Sequence, residues 1–123
     1  MGFTALVVGE ATTPAITRDD MLLICSASGE TPMLVEHAAK AKKVGAAVML
    51  ITTSETSSLA VLSDFVITID ASSKTTRSDA SVQPMGSLFE QSTAILLDII
   101  VLCLMEKHGI SSDDMYRNHS NLE

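Results

Sequence analysis

The chain has 123 residues, of which 46% are hydrophobic and 19% are charged. This size and composition suit one folded domain with a single core and exclude a largely disordered chain. The formal net charge of −7 argues against a nucleic-acid-binding protein, because affinity for the phosphate backbone comes from clustered Lys and Arg. A small anion remains a possible ligand, since backbone N–H groups and hydroxyls at a helix start can hold one.

The cysteines and the one long apolar stretch bear on location and cofactors. Cys25 and Cys103 lie in apolar runs without metal-ligand spacing, which predicts reduced core thiols in a cytoplasmic protein and no metal or other cofactor. We expect no secretory signal peptide. The apolar run within residues 92–105 contains Asp98 and is shorter than a bilayer span requires. We therefore expect a buried or subunit-interface helix there, and no membrane partner.

Apolar runs and amphipathic segments alternate along the chain. The Gly45 that follows one amphipathic segment is a typical helix stop. This alternation predicts parallel strands with helices on the faces of the sheet, the α/β class. The predicted elements in chain order are strand 3–9, strand 21–26, helix 32–44, strand 46–52, helix 57–62, strand 65–69, helix 87–107 and a last short helix that ends at residue 117.

Two neighbouring segments in the second half stand apart from this pattern. Residues 70–84 are rich in Ser, Thr, Lys, Arg and Asp without periodicity, which predicts a loop of a length that is usually functional or mobile. The helix predicted for residues 87–107 is apolar almost all round and needs partners on both sides. Association of subunits would supply them, so we expect a dimer or a larger assembly.

The loop at residues 26–31, with the sequence SASGET, has the composition of an anion site. It lies between a predicted buried strand and a predicted helix, where ligands bind in open α/β sheets. Its hydroxyls and the free N–H groups of the first helical turn are hydrogen-bond donors, and Gly29 permits close approach of the backbone. The alternative is a plain capping turn, because Ser and Thr are common helix caps.

Four segments resemble one known family. The loop SASGET is similar to a phosphate-binding loop of SIS-domain proteins, a family of phosphosugar isomerases and phosphosugar-binding regulators. The sequences VGEATTPAI at residues 8–16, QPMGSLFEQ at residues 83–91 and RNHSNLE at residues 117–123 resemble signature segments of its 6-phospho-3-hexuloisomerase branch. Together these segments span most of the chain.

The resemblance implies a fold and an assembly. The expected architecture is a three-layer αβα SIS-type fold with a parallel sheet, in which about four of five strands are retained here. Residues 1–123 would form one partial SIS domain that lacks the first strand and the first phosphate loop of the family. The resemblance also implies a homodimer or a homotetramer.

The resemblance further implies an activity and a substrate site. The expected enzyme is an isomerase that interconverts D-arabino-hex-3-ulose 6-phosphate and fructose 6-phosphate by proton transfer through an enediol, without a cofactor. Phosphosugar-binding residues carried over from the family are Ser26, Ala27, Ser28, Gly29 and Thr31. Two other functions stay open: a non-catalytic phosphosugar-binding module, and an inactive truncated remnant.

The resemblance assigns catalytic roles to Glu90 and His119. Glu90 lies at the start of a long apolar helix, where we expect partial burial to suit it as the base that moves the proton. The alternative is an exposed first-turn Glu stabilised by the helix dipole. His119 lies in a polar C-terminal segment and would act on the sugar oxygens or on ring opening, at a neighbouring subunit's site.

Overall fold

The computed structural model describes residues 2–71, 81–117 and 119–121. These residues form two compact units, Pro14–Thr93 and a second unit of residues 2–13, 94–117 and 119–121. The prediction of a single domain over 1–123 stays a prediction. The elements are β1 (Met21–Cys25), α1 (Pro32–Val44), β2 (Ala47–Thr52), α2 (Ser58–Leu62), β3 (Phe65–Thr68), α3 (Ser87–His108) and α4 (Ser112–Arg117).

The unit Pro14–Thr93 contains a parallel sheet with the strand order β1-β2-β3. In its register Ile24 pairs with Leu50, and Leu50 pairs with Val66. The helices α1 and α2 each connect neighbouring strands in the same direction along the sheet, so right-handed crossovers place both on one face. The two helices contact each other and β2. The predicted α/β class with a parallel sheet is confirmed.

The core of this unit lies between that face of the sheet and the two helices. Ile24, Val48 and Leu50 point into it from the strands, and Ala38 and Ala41 from α1. Alanine side chains let α1 approach the sheet closely, and all five residues are less than 5% exposed. The packing holds the end of β1 and the start of α1 in place, where the candidate site lies.

One predicted strand is not formed. Among the described residues the sheet has three strands, not about four, and residues 3–9 are irregular and exposed. Their backbone makes turn hydrogen bonds, such as the one from Glu10 N to Val7 O at 3.2 Å. An apolar run favours burial, but a strand also needs a neighbouring strand to pair with its N–H and C=O groups. Residues 3–9 have no such neighbour within the described chain.

The prediction that both cysteines are core thiols is wrong. Cys25 and Cys103 are free and exposed. Successive side chains of a strand alternate between the two faces of the sheet, so Cys25 points away from the core into which the adjacent Ile24 points. Surrounding atoms still desolvate the Cys25 thiol enough to raise its pKa.

Helix α3 ends one residue later than predicted, at His108, and is less buried than the sequence suggested. It has 22 residues and is long and apolar enough to cross a bilayer by length and composition, so the expectation of too short a span is wrong. Its buried residues are Phe89 and Thr93. Ile95, Ile99 and Leu102 are 62%, 49% and 62% exposed and follow the spacing of one helix face. We call these three residues the α3 stripe.

Residues 72–80 of the loop predicted for residues 70–84 lie outside the described residues.

The last helix, α4, begins as the sequence predicted. Ser111 N donates to Asp114 Oδ2 at 2.9 Å, and Asp114 N donates to Ser111 Oγ at 3.2 Å. This reciprocal pair satisfies two of the otherwise unpaired donors at a helix start.

Candidate functional site

The candidate site is the loop of residues 26–31 that joins the carboxyl end of β1 to the first turn of α1. This is the edge of a parallel sheet at which α/β proteins bind ligands. The structure brings all five predicted phosphate-binding residues together here. Ser26 is buried and continues the strand pairing, since its N–H donates to Ile51 O at 2.9 Å.

Two internal hydrogen bonds shape the loop. Gly29 N donates to Ser26 Oγ at 3.2 Å, and Glu30 N donates to Ser28 Oγ at 3.3 Å. Both serine oxygens act as acceptors in these bonds, so both hydroxyl hydrogens remain available to a ligand.

Several donors of the loop have no partner among the described residues. The N–H groups of Ala27 and Ser28 make no hydrogen bond there. Thr31 is the N-cap of α1, but its side chain makes no capping bond, and Pro32 at the first helical position has no N–H to be capped. Backbone amides, hydroxyls and a helix start therefore combine at one place, as an anion site requires.

Gly29 lies against the turn that precedes α2. Its φ is +67°, and an added Cβ would lie 2.1 Å from Ser57 Oγ and 2.4 Å from Ser57 Cβ. Ser57 is itself fixed, because it is the N-cap of α2 and its hydroxyl accepts from Ala60 N at 3.2 Å. Only glycine combines this left-handed conformation with such a close approach.

The carbonyl groups of the loop point towards the segment of residues 52–59. Ala27 O accepts from Thr53 N at 3.0 Å, from Thr53 Oγ1 at 2.8 Å and from Thr52 Oγ1 at 3.1 Å. Gly29 O accepts from Leu59 N at 3.1 Å. Sequence reasoning missed these supporting residues, since nothing in the local pattern pairs positions about 25 residues apart.

The side chain of Glu30 also accepts hydrogen bonds from residues 52–59. Its Oε1 accepts from Ser58 N at 2.8 Å and its Oε2 accepts from Ser58 Oγ at 2.7 Å. The hydroxyl and the N–H of Ser58 stabilise the carboxylate and lower the pKa of Glu30. Glu30 is not among the phosphate-binding residues predicted from the sequence, and its place inside the loop is the one local signal of a role for it.

Glu90 lies in the first turn of α3, in the same unit as the loop. Its N–H donates to Gly86 O at 2.9 Å. The expected partial burial of its side chain is wrong, because Glu90 is exposed. The helix buries Phe89 and Thr93, and one residue along a helix turns the side chain by about 100°, away from that buried face. The role of Glu90 as the base stays a prediction.

His119 belongs to the other unit and is exposed. Its N–H donates to Tyr116 O at 3.0 Å, and its Nδ1 lies 3.1 Å from Ser120 O. It lines a surface depression with Tyr116, Arg117, Ser120 and Asn121. Residues 118, 122 and 123 of the same signature segment lie outside the described residues. The role of His119 also stays a prediction.

Among residues 2–71, 81–117 and 119–121, no group of three or more His, Cys, Asp or Glu side chains is arranged to hold a metal ion.

Residues 3–100 match the SIS domain family. Over 125 aligned residues the chain is 42% identical to 3-hexulose-6-phosphate isomerase of Bacillus subtilis, with all of this chain and 68% of that protein covered. It is also similar to a Methanococcus jannaschii protein whose crystal structure infers a molecular function of 3-hexulose-6-phosphate isomerase. The identity is 28% and the TM-score 0.85, over 99% of this chain and 65% of that one.

A further solved structure is that of a protein from E. coli CFT073 in complex with A5P, a sugar-phosphate ligand. It is 26% identical, with a TM-score of 0.69 over 85% of this chain and 54% of that one. The chain thus spans from about half to about two thirds of the length of the proteins it matches. The family match and the 42% identity show that this chain belongs to the SIS-domain family, together with relatives named 3-hexulose-6-phosphate isomerase.

Proposed function

We propose that this chain binds a phosphosugar at the loop 26–31 and interconverts D-arabino-hex-3-ulose 6-phosphate and fructose 6-phosphate. The observation that carries the proposal is the loop itself, whose amides at Ala27 and Ser28 and whose Thr31 hydroxyl are left for a ligand. Relatives named 3-hexulose-6-phosphate isomerase favour an isomerase over a non-catalytic binding module or an inactive remnant. The solved complex of a relative with A5P favours a phosphosugar as the ligand.

In the proposed reaction the base removes the proton on C2 of the 3-ulose, which leaves a 2,3-enediol. The same group returns the proton to C3, and the carbonyl moves to C2. Glu90 is the proposed base, because a carboxylate can accept and return one proton without a metal. His119 of a neighbouring copy of the chain would serve the sugar oxygens, whose protons must exchange in the same step. We place this reaction in the cytoplasm, without a cofactor or nucleic acid.

The first test is a thermal-shift titration of the 123-residue chain with fructose 6-phosphate. A ligand that binds only the folded state raises the free energy of unfolding by about 2.7 kcal/mol at a hundred times its Kd. We expect a rise in melting temperature with fructose 6-phosphate and none with fructose, because the loop offers donors to a phosphate. No shift in a cooperatively folded sample would contradict the proposal.

The substitution Ser28→Ala supplies the matched test of the loop within the same experiment. We expect it to weaken fructose 6-phosphate binding about tenfold through loss of one charge-assisted hydrogen bond. Ser112→Ala, which removes a hydroxyl outside the loop, is the control and should leave the titration unchanged.

We also propose that the α3 stripe packs against a second copy of the chain, which would give a homodimer or a homotetramer. The stripe is apolar and exposed, and burying it would stabilise an interface. A bilayer is a poorer partner for α3, because Asp98 lies near the middle of this helix. A carboxylate at the centre of a bilayer costs about 2.5–3.5 kcal/mol.

Light scattering in detergent-free buffer tests the assembly. We expect a mass of two or four chains, and we expect Ile99→Glu to shift it towards one chain by placing a charge in the centre of the stripe. Val61→Glu is the control, since Val61 is 81% exposed on α2. A well-folded wild-type monomer, or recovery of the chain only with membranes, would contradict the proposal.

A further inference from the structure

We infer that Glu30 is a positioning residue, which holds the loop 26–31 against the start of α2 so that the donors of the loop face the phosphate. The inference rests on the proposed function and assigns a role to a residue of the loop that is not among the five predicted phosphate-binding residues. It is carried by the two hydrogen bonds from Ser58 to the Glu30 carboxylate, at 2.8 and 2.7 Å.

The hydrogen bonds between the loop and residues 52–59 all run from donors in residues 52–59 to acceptors in the loop. The loop supplies the acceptors, which are Ala27 O, Gly29 O and the Glu30 carboxylate. Residues 52–59 supply the donors. Oxygen atoms repel a phosphate and N–H groups attract it, so a phosphate loop needs its oxygens turned away from the ligand. The segment 52–59 provides the surface towards which they turn.

Glu30 carries the strongest repulsion that the loop could present to a phosphate. It is the one charged residue within 26–31, and it lies in the chain between Gly29 and Thr31, two of the predicted phosphate-binding residues. Engagement of both carboxylate oxygens by the N–H and the hydroxyl of Ser58 directs this charge towards the first residue of α2. Loss of the contact would free both the carboxylate and the loop backbone next to it.

The same geometry argues against Glu30 as the proton-transferring base. Both of its oxygens accept hydrogen bonds from Ser58, and these bonds lower the pKa of Glu30. A base in an isomerase must gain a proton during the reaction, and each donor that stabilises the carboxylate opposes this gain. Glu30 therefore acts through the position of the loop and not on the sugar carbons.

The test compares Glu30→Ala, Glu30→Gln and Ser58→Ala by calorimetric titration of the 123-residue chain with fructose 6-phosphate. We expect Glu30→Ala to raise the Kd about tenfold, because both hydrogen bonds are lost. Glu30→Gln and Ser58→Ala should each raise the Kd about threefold, because each variant keeps one of the two hydrogen bonds. In Glu30→Gln the side-chain oxygen can still accept from Ser58, and in Ser58→Ala the backbone N–H of residue 58 can still donate to the Glu30 carboxylate. These two milder variants carry the test if Glu30→Ala does not fold.

Glu36→Gln is the charge-matched control, because Glu36 is exposed on α1, outside the loop. The Glu36→Gln chain should bind fructose 6-phosphate with the wild-type Kd. A merely structural role would lower the melting temperature of the Glu30 variants without changing the Kd for fructose 6-phosphate. Unchanged Kd values in all three variants would overturn the inference about Glu30 and leave the proposed function standing. A wild-type chain that does not bind fructose 6-phosphate would overturn the proposed function and this inference with it.

Discussion

Glu90→Gln is expected to lower kcat for isomerisation by about 10²- to 10⁴-fold, the range that a general base contributes. Gln keeps the size and hydrogen-bonding shape of Glu but cannot accept the proton from the sugar carbon. Because Glu90 lies in α3 and not in the loop 26–31, the affinity for fructose 6-phosphate should stay close to that of the wild type. A loss in kcat at constant affinity separates a role in the transition state from a role in binding.

The measurement is the steady-state rate of fructose 6-phosphate formation, with binding followed by calorimetry. Glu106→Gln is the matched control, since it removes an exposed carboxylate from the same helix and should leave kcat unchanged. A Glu90→Gln chain with the wild-type kcat would refute the assignment of the base. The loop 26–31 could still bind the phosphosugar in that case, so the two parts of the proposal are tested separately.

Gly29→Ala is expected to lower the free energy of unfolding by about 2–5 kcal/mol. The left-handed conformation costs a non-glycine residue about 1–2 kcal/mol, and forcing the added methyl group against Ser57 costs about 1–3 kcal/mol more. The steric part is large because the group in the way is Ser57, whose Cβ lies 2.4 Å from the added atom and whose hydroxyl caps α2. Neither Ser57 nor the loop can move without loss of hydrogen bonds.

Chemical denaturation of matched variants tests this expectation. Gly109 has a φ of +64° and would have nothing within 4 Å of an added Cβ, so Gly109→Ala measures the cost of conformation alone, about 1–2 kcal/mol. The difference between the two variants is the cost of the contact with Ser57. Equal losses of unfolding free energy in the two variants would show that the contact between the added Cβ at position 29 and Ser57 costs nothing. We also expect Gly29→Ala to weaken fructose 6-phosphate binding more than Gly109→Ala does.

Much of the local structure could be predicted from the sequence. The helix at residues 32–44 was predicted with its observed bounds, Pro32–Val44, because Pro at the start and Gly45 at the end are strong local signals. Three of the four predicted strands are present within a residue or so of their expected ends. The strand at residues 3–9 is wrong, because hydrophobicity reports a preference for burial but not the presence of a pairing partner.

Some features of the candidate site follow from local sequence, and others depend on contacts between distant parts of the chain. Ser26, Ser28, Gly29 and Thr31 could be proposed as phosphate-binding residues from the sequence, since a loop of hydroxyls and glycine between a strand and a helix has a local signature. The contact between Glu30 and Ser58 could not be found, because the residues are 28 positions apart and no local pattern pairs them. The exposure of Glu90 was also missed, because an apolar helix does not reveal which of its faces is covered.

The sequence by itself determined the α/β class, most of the elements and the position of the loop 26–31 between a strand and a helix, because these follow from periodicity, caps and turn residues within short segments. The tertiary structure alone decided what surrounds each of them. The parallel register brings the ends of β1 and β2 side by side, and this juxtaposition sets Gly29 against Ser57 and Glu30 against Ser58. Contacts of this kind depend on chain segments meeting in space, and separation along the chain carries no signal for them.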